Sequence, residues 1–208
     1  MYIPSAFDIQ DPVKIGDIIS SNSFATLVSQ DGDSIFVSHL PFIHKPGEGA
    51  KGKLISHMAK ANRHWKLFQE GKEALVIFNG PHAYISPNWY VAEIAVPTWN
   101  YANVHVYGIP KIMETDAELT ALLDETVQKH EAGRPNPWTL NMPEDMEARL
   151  HMAIVGFEIE ITRIEAKFKL GQNRSKEDQI KMIQTLKSSG DPESIRLASL
   201  MESDFQDA

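Results

Sequence analysis

Between Ala74 and Pro110 the chain reads ALVIFNGPHAYISPNWYVAEIAVPTWNYANVHVYGIP, and the residue types there are those of a binding pocket. His82, Tyr84, Trp89 and Tyr90 fall close together, Trp99, Asn100 and Tyr101 follow, and an alternating run carries His105 and Tyr107. Two of the four Trp and all but one of the five Tyr lie in this window, so the aromatic surface is concentrated rather than spread along the chain. Aromatic faces with polar rims beside His and Asn suit a flat, partly polar ligand that stacks on the rings and hydrogen-bonds at its edges. The same composition also makes an aromatic-rich β-sheet core, and the stretch by itself leaves both readings open.

Other chemistries are poorly provided for. The eight His show no HExxH or close HxH spacing, and the absence of Cys removes thiolate ligands and disulfides, so no metal site is expected. No GxSxG elbow is present, no Ser-His-Asp set can be argued, and no general acid or base stands out, which leaves catalytic residues unassigned. GEGAKG, from Gly47 to Gly52, has the letters of a dinucleotide fingerprint. That fingerprint follows a strand and opens a helix, whereas these glycines follow Lys45-Pro46 and lead into a strand, so they read as a hairpin loop.

The elements that would position these residues are mostly strands. Asp11-Pro12 starts a helix that runs to about Ser20, with Val13, Ile15, Ile18 and Ile19 apolar. FATLVSQ, an Asp31-Gly32-Asp33 turn and SIFVSHLPF make a hairpin that Pro41 ends. A strand from Lys53 to His57 turns helical at Met58, with Ala61, Trp65 and Phe68 at helical spacing up to Gly71. From Ala74 two or three further strands are expected, with a break at Gly80-Pro81. Thr115-Asp116-Ala117-Glu118 is a capping box that opens a long helix ending near Gly133, and Pro143 starts another with Met146, Leu150 and Ala153 on its face. Ile154 to Leu170 alternates as a half-buried antiparallel strand. Two short helices follow, one with Ile180, Ile183 and Leu186 as its apolar face and one with Ile195, Leu197, Leu200 and Met201. About seven strands in antiparallel pairs with peripheral helices make a mainly β chain, a small β-barrel with helices around it. Residues 1–174 are expected to form the barrel domain and 175–208 a helical appendage.

At 208 residues, 42% hydrophobic and 23% charged, the chain has ample apolar material for one core. It holds no apolar run near the ~20 residues a membrane span needs, and no signal-peptide pattern at MYIPSAFDIQDPV, which fits a cytoplasmic protein. A net charge of −8 opposes a dominant contact with nucleic-acid phosphates. The tail could be read as a helix-turn-helix, but Asp191, Glu193, Glu202, Asp204 and Asp207 make it acidic where a recognition helix needs Arg, Lys, Asn or Gln. Direct DNA contact is therefore not expected.

With these stretches in hand the sequence resembles the PaiB family of FMN-binding negative transcriptional regulators. The resemblance is carried by Met1-Tyr2-Ile3-Pro4, Phe24-Ala25-Thr26-Leu27, His39-Leu40-Pro41-Phe42, the stretch His57 to Asn62, the stretch Gly80 to Pro87, Val96 to Tyr101, His130-Glu131, Ile154 to Ile159, and Lys167 to Leu170 before Gln172-Asn173. It departs from that pattern at Gly171, where a serine is usual, and at Arg63, where proline is common. The resemblance implies an FMN-binding split β-barrel like that of pyridoxamine-phosphate oxidase-like flavoproteins, a homodimer with FMN at the subunit interface, and a role in repression exerted indirectly or through a partner. A flavin-dependent oxidoreductase of a small molecule is the alternative, and some split-barrel relatives bind haem through His, with His39, His57 or His105 as candidates here.

FMN carries a phosphate dianion, a polar ribityl chain and a three-ring plane. For the phosphate the resemblance points to His57, Ala59, Lys60 and Asn62, where a strand end passing into a helix start offers backbone N–H groups, or where His57 and Asn62 simply cap that helix. Lys167 and Lys169 flank Phe168 and share one face of an extended strand, which suits a phosphate or a solvated strand end, while Gln172 and Asn173 could reach ring or ribityl oxygens. Trp99, Asn100 and Tyr101 could cover the flavin plane or pack in the core. His39, His82 and His105 could face a substrate or hydrogen-bond a ring nitrogen, or be ordinary satisfied side chains.

Overall fold

Asp11 accepts a hydrogen bond from the Val13 amide and Pro12 fills the first helical position, so α1 (Pro12–Ser21) begins where the Asp-Pro pair sets it and buries Ile15, Ile18 and Ile19. In the computed structural model, which describes residues 1–91, 95–140 and 143–206, the expected hairpin follows. Its strands β1 (Phe24–Asp31) and β2 (Ser34–Pro41) pair antiparallel from Phe24↔Pro41 to Asp31↔Ser34. A second hairpin, β3 (Ile43–Lys45) and β4 (Lys53–Ala59), turns through the glycine-rich loop, so GEGAKG joins two strands and opens no helix. Three long strands complete the sheet: β5 (Ala74–Ile85), β6 (Thr98–Ile112) and β7 (Ile154–Lys169). The seven strands run in the order β2-β1-β5-β6-β7-β4-β3, and the pairings β1–β2, β1–β5, β3–β4 and β4–β7 are antiparallel.

Two compact units make up the chain, one of Met1–Asn22, Phe78–His105 and Glu165–Ala208, the other of Ser23–Ile77 and Val106–Ile164. In the second unit, Phe42 and Phe68 pack on Phe157 with ring centroids 6.1 and 4.9 Å away. There α2 (Asp116–Glu131) starts at the predicted capping box of Thr115 and Glu118 and seats Leu122 against Ile43 and Ile55. In the first unit the core holds Ile19, Phe78, Ile85 and Phe168 together with residues of the two tail helices, α4 (Lys176–Ser188) and α5 (Pro192–Gln206). Burying each such side chain contributes about 1.5–3 kcal/mol, which makes these clusters the main source of stability.

Four expectations are corrected. Gly80-Pro81 does not break a strand, because β5 runs straight through it. The ladder with β1 covers only Leu75 to Ile77, so the N–H that Pro81 lacks falls outside that pairing. Gly80 is there for closeness: a Cβ on it would stand 2.6 Å from the Ala102 carbonyl oxygen. Met58 does not start a helix either. The strand continues to Ala59, with Met58 paired to Val155, and a 3₁₀ segment (Arg63–Glu70) begins only after Asn62 caps it. The face expected to be buried on α3 (Glu144–Ala153) is open, since Met146 and Leu150 are exposed. In the tail, Ile180 and Ile195 are exposed, and the buried stripes are Met182, Ile183 and Leu186 on α4 and Leu197, Ala198 and Met201 on α5. Asp207, counted in the acidic tail, lies outside the described residues.

Candidate functional site

β7 brings two cations, Lys167 and Lys169, into the first unit, and its alternation places them. Phe168 turns into the core, which leaves Lys167 and Lys169 together on the other face. Residues near the N-terminus lie along this strand through the Asp8↔Lys167 bridge and the Ile9 amide bond to the Ala166 carbonyl, 3.1 Å. Lys167 is therefore only 8% exposed. Its ammonium donates to the Tyr2 carbonyl at 3.1 Å and sits over the rings of Tyr2 and Tyr101, 5.4 and 5.3 Å from their centroids. Lys169 donates to Thr98 Oγ1 and, at 3.0 Å, to the Trp99 carbonyl. Burial, and then the charges of Lys167 and Arg174, hold the Lys169 ammonium below the usual lysine range.

The turn after β7 sets the next residues. Gly171 has φ +88°, a left-handed conformation that a side chain adopts only with strain, and a Cβ there would crowd Met182 Cε at 2.8 Å. Gln172 folds back on the turn: Oε1 accepts from the Leu170 amide at 2.8 Å and Nε2 donates to the Phe168 carbonyl at 2.7 Å. Its amide thus serves the backbone. Asn173 lines a small cavity of about 190 Å³ together with Thr98, Asn100, Lys169, Gly171 and Arg174. Arg174 stands over the Tyr90 ring, 4.5 Å from its centroid. The sequence reasoning passed over Arg174; the available signal was a third cation close behind Lys167 and Lys169.

A larger cleft of about 610 Å³ is lined by Met1, Asn79, His82, Trp99, Tyr101 and Asn103. On β6 the residues Trp99, Tyr101, Asn103 and His105 share one face and Asn100 points to the other. Asn100 is 1% exposed, contacts Met201 Sδ at 3.8 Å, and lines the small cavity, so only the two aromatics of this triplet reach the large one. On β5 the alternation slips by one at Gly80-Pro81, where both residues are buried, and this turns Asn79 and His82 to the same cleft three positions apart. Trp99 meets His82 and Tyr84 with centroids 6.2 and 6.1 Å away. His82 Nδ1 lies 3.4 Å from the Gly80 carbonyl and 3.6 Å from Glu193. His105 is half-buried; burial and then the α-amino group lower its pKa, and Glu165 opposes them.

The remaining candidates lie in the second unit. His57, Met58 and Ala59 pair with Gly156, Val155 and Ile154. The amides of Lys60 and Asn62 donate to the carbonyls of Ala153 and Ala59, both at 2.8 Å. The N–H groups expected to be free are thus engaged. Asn62 caps the 3₁₀ segment by accepting from the His64 amide at 3.1 Å and donates to Ser38 Oγ at 3.0 Å, while His57 sits in a strand and caps nothing. Burial lowers the His57 pKa, and Lys60 is exposed. His39 is an exposed strand residue 3.1 Å from Thr26 Oγ1, with its ring against Phe24. No local pattern singles out His64, which is fully buried, bonds Ser38 Oγ at 2.9 Å through Nδ1, and is pushed down to about 4 by burial. Among the described residues no group of three or more His, Cys, Asp or Glu is placed to hold a metal ion.

An aromatic cleft next to a cationic strand end is the kind of place a phosphorylated aromatic ligand fits. Residues 1–163 match the family described as "Putative FMN-binding domain". The Protease synthase and sporulation protein PAI 2 of Bacillus subtilis is 38% identical over 207 residues, covering 97% of each chain. In structure the chain is similar to the flavocytochrome Anf3 of Azotobacter vinelandii, with a TM-score of 0.61 at 15% identity over 84% of this chain and 75% of that one. It is equally similar to the FAD and haem binding protein of Mycobacterium smegmatis, with a TM-score of 0.61 at 14% identity over 83% and 78% of the two chains. The fold is that of the expected class, mainly β with peripheral helices, as in the split-barrel flavoproteins.

Proposed function

Because the chain belongs to this FMN-binding domain family, we propose that it is a flavin-binding protein whose ring system lies along Asn79, His82, Trp99, Tyr101 and Asn103 and whose phosphate end reaches Lys167 and Lys169. The observation that carries this reading is the Lys167 ammonium over the Tyr101 ring, because it joins a cationic strand end to an aromatic cleft within one unit. The stretch from His57 to Asn62 is the weaker anion site, since it presents one cation, Lys60, and its amides at Lys60 and Asn62 already have carbonyl partners. A bound flavin supplies its own redox chemistry, and the chain's part is to hold and orient it.

We read the protein as a negative regulator that acts through a partner rather than by reading DNA. The name of the Bacillus subtilis relative supports a role in protease and sporulation control, and the net charge of −8 argues against a phosphate-backbone contact. It works as a homodimer, with the exposed apolar residues Phe24, Ile35 and Val37 of the β1–β2 hairpin as a surface for the second copy.

An absorbance scan of the purified protein with and without FMN, with mass from light scattering, tests this. The expected result is a dimer with flavin bands, roughly tenfold weaker FMN binding after Trp99→Ala, and silence in a gel shift with DNA. A colourless protein that ignores FMN overturns the flavin reading, haem bands reassign the cofactor, and a specific gel shift overturns indirect action.

A further inference from the structure

The net charge of this chain is gathered in one stretch. From Glu114 to Glu147 the sequence carries nine Asp or Glu against Lys129 and Arg134, which accounts for nearly all of the chain's −8. α2 lies in that stretch and has two faces. Leu122 is buried against Ile43 and Ile55, whereas Asp124, Val127, Gln128 and Glu131, at positions i, i+3, i+4 and i+7, form a stripe on the other side. Residues 137–140 face this stripe across a groove of about 370 Å³. The segment is clipped to the helix end by the Trp138 amide, which donates to the Glu131 carboxylate at 2.9 Å. Glu131 of the His130-Glu131 pair thus has a structural task, and Arg134 stands 3.6 Å from its carboxylate. Val127, Pro137 and Trp138 give the groove apolar walls, and Trp138 is 52% exposed. Asp124 also lines the groove; it is exposed and has no ion pair among the described residues.

We propose that this groove docks a basic segment of a partner protein: an Arg or Lys side chain stacks on Trp138 and pairs with Asp124, while its apolar neighbours rest on Val127 and Pro137. An aromatic face beside an unmatched carboxylate suits a guanidinium or ammonium group, and the surrounding negative charge draws a basic segment in from a distance. The same charge repels nucleic acid and acidic segments. A second copy of the chain is a poorer occupant, because it carries a net charge of −8 itself. This deepens the reading that the protein acts through a partner, and rests on it for the existence of that partner. It gives the partner a charge and a docking place, in the unit that does not hold the aromatic cleft.

Fluorescence anisotropy on the full chain, at fixed ionic strength, tests this with a labelled short peptide of Arg and Leu and a second peptide carrying Glu in place of Arg. The Arg peptide should bind, and the Glu peptide at least roughly tenfold more weakly. Trp138→Ala should weaken the Arg peptide by roughly tenfold and Asp124→Asn by roughly threefold. Trp138→Ala changes no charge, so its effect separates docking in the groove from diffuse attraction to an acidic surface. Asp17→Asn, which removes an exposed carboxylate on α1, should change nothing. No binding of the Arg peptide, equal binding of the Glu peptide, or Arg-peptide binding that ignores Trp138→Ala overturns the site. A lower mass of Trp138→Ala in light scattering makes a second copy the occupant and overturns the separate partner. If a variant fails to fold, carbodiimide coupling of a Lys form of the peptide to the unmutated chain, located by mass spectrometry, reads the same contact. A cross-link at Asp124 supports the site, and cross-links only elsewhere overturn it. The gel shift with DNA separates the groove from the regulatory reading. A silent gel shift without peptide binding keeps indirect action and removes the groove, whereas a specific gel shift with peptide binding keeps the groove and removes indirect action.

Discussion

His64 is neutral because its ring is shut between Phe36 and Phe68, with centroids 4.9 and 5.7 Å away, and among the described residues only Ser38 reaches one of its nitrogens. Burial brings its folded pKa from 6.5 to about 4, so the unfolded chain binds a proton that the folded chain refuses. That contribution to stability is complete above pH 6.5 and is lost as the pH falls toward 4, for an effect of about 3 kcal/mol at full extent. Urea midpoints taken from pH 7 to pH 4 should therefore fall, and His64→Phe, which cannot titrate, should flatten part of that slope; an unchanged slope in the variant would remove His64 as its source. Burial also lowers His44, His57 and His105, so their contributions to the slope have the same sign. At this scale the sequence was partly readable. A strand's period of two predicts that Lys167 and Lys169 share one face, and they do. Trp99, Asn100 and Tyr101 stand out together by residue type, and the same period sends Asn100 to the opposite face. Arg174 and His64 matter through neighbours far away in sequence, Tyr90 for one and Ser38 for the other, and no local pattern announces such neighbours.

Elements with their own chemical punctuation were legible. The capping box of α2 is present in full, with Thr115 Oγ1 accepting from the Glu118 amide at 3.3 Å and Glu118 accepting from the Thr115 amide at 3.0 Å. The Thr115 hydroxyl, which donates to the Glu118 carboxylate at 2.7 Å, and then the Thr115 and Glu114 amides hold that carboxyl below the usual carboxylate range. Thr115→Ala should cost about 1 kcal/mol, seen as a lower urea midpoint with an unchanged slope, and an unchanged midpoint would mean the helix is held by packing alone. Asp11-Pro12, the Asp31-Gly32-Asp33 turn and the Gly47–Gly52 loop likewise did what their residues specify. The two misread strand boundaries share one cause, which is tertiary contact. Gly-Pro reads as a stop, but at Gly80 the missing side chain admits the Ala102 carbonyl and the strand goes on. Met58 has helical spacing to Ala61 and Trp65, yet pairing with Val155 keeps it in β4. The slip at Gly80-Pro81 is also what brings Asn79 and His82 into one cleft, so the same tertiary contact hid part of the site.

For the whole molecule, the two tail helices belong to a core. Met182, Leu186 and Leu197 are inaccessible to solvent, Met201 nearly so, and the Asp178 carboxylate is buried and accepts the Val91 amide at 2.6 Å. A chain cut after Arg174 should expose this apolar surface and lose soluble expression or cooperative melting; a truncated protein that melts like the parent would mark the helices as dispensable. The β1–β2 hairpin and β3–β4 are local in sequence, but the first unit joins its earliest residues to its latest. Tyr2 accepts from Lys167, Asp8 bridges the same residue, and Lys14 pairs with Asp204. During synthesis these partners are separated by most of the chain's translation. At about 5–20 residues per second, residues near the N-terminus wait roughly 10–30 s before β7 is made. Through that interval the apolar face of α1, Ile15, Ile18 and Ile19, has no finished core to enter. The pace at which this unit matures is set by the ribosome, and the nascent chain is a natural client for a chaperone that holds one helix until its sheet arrives.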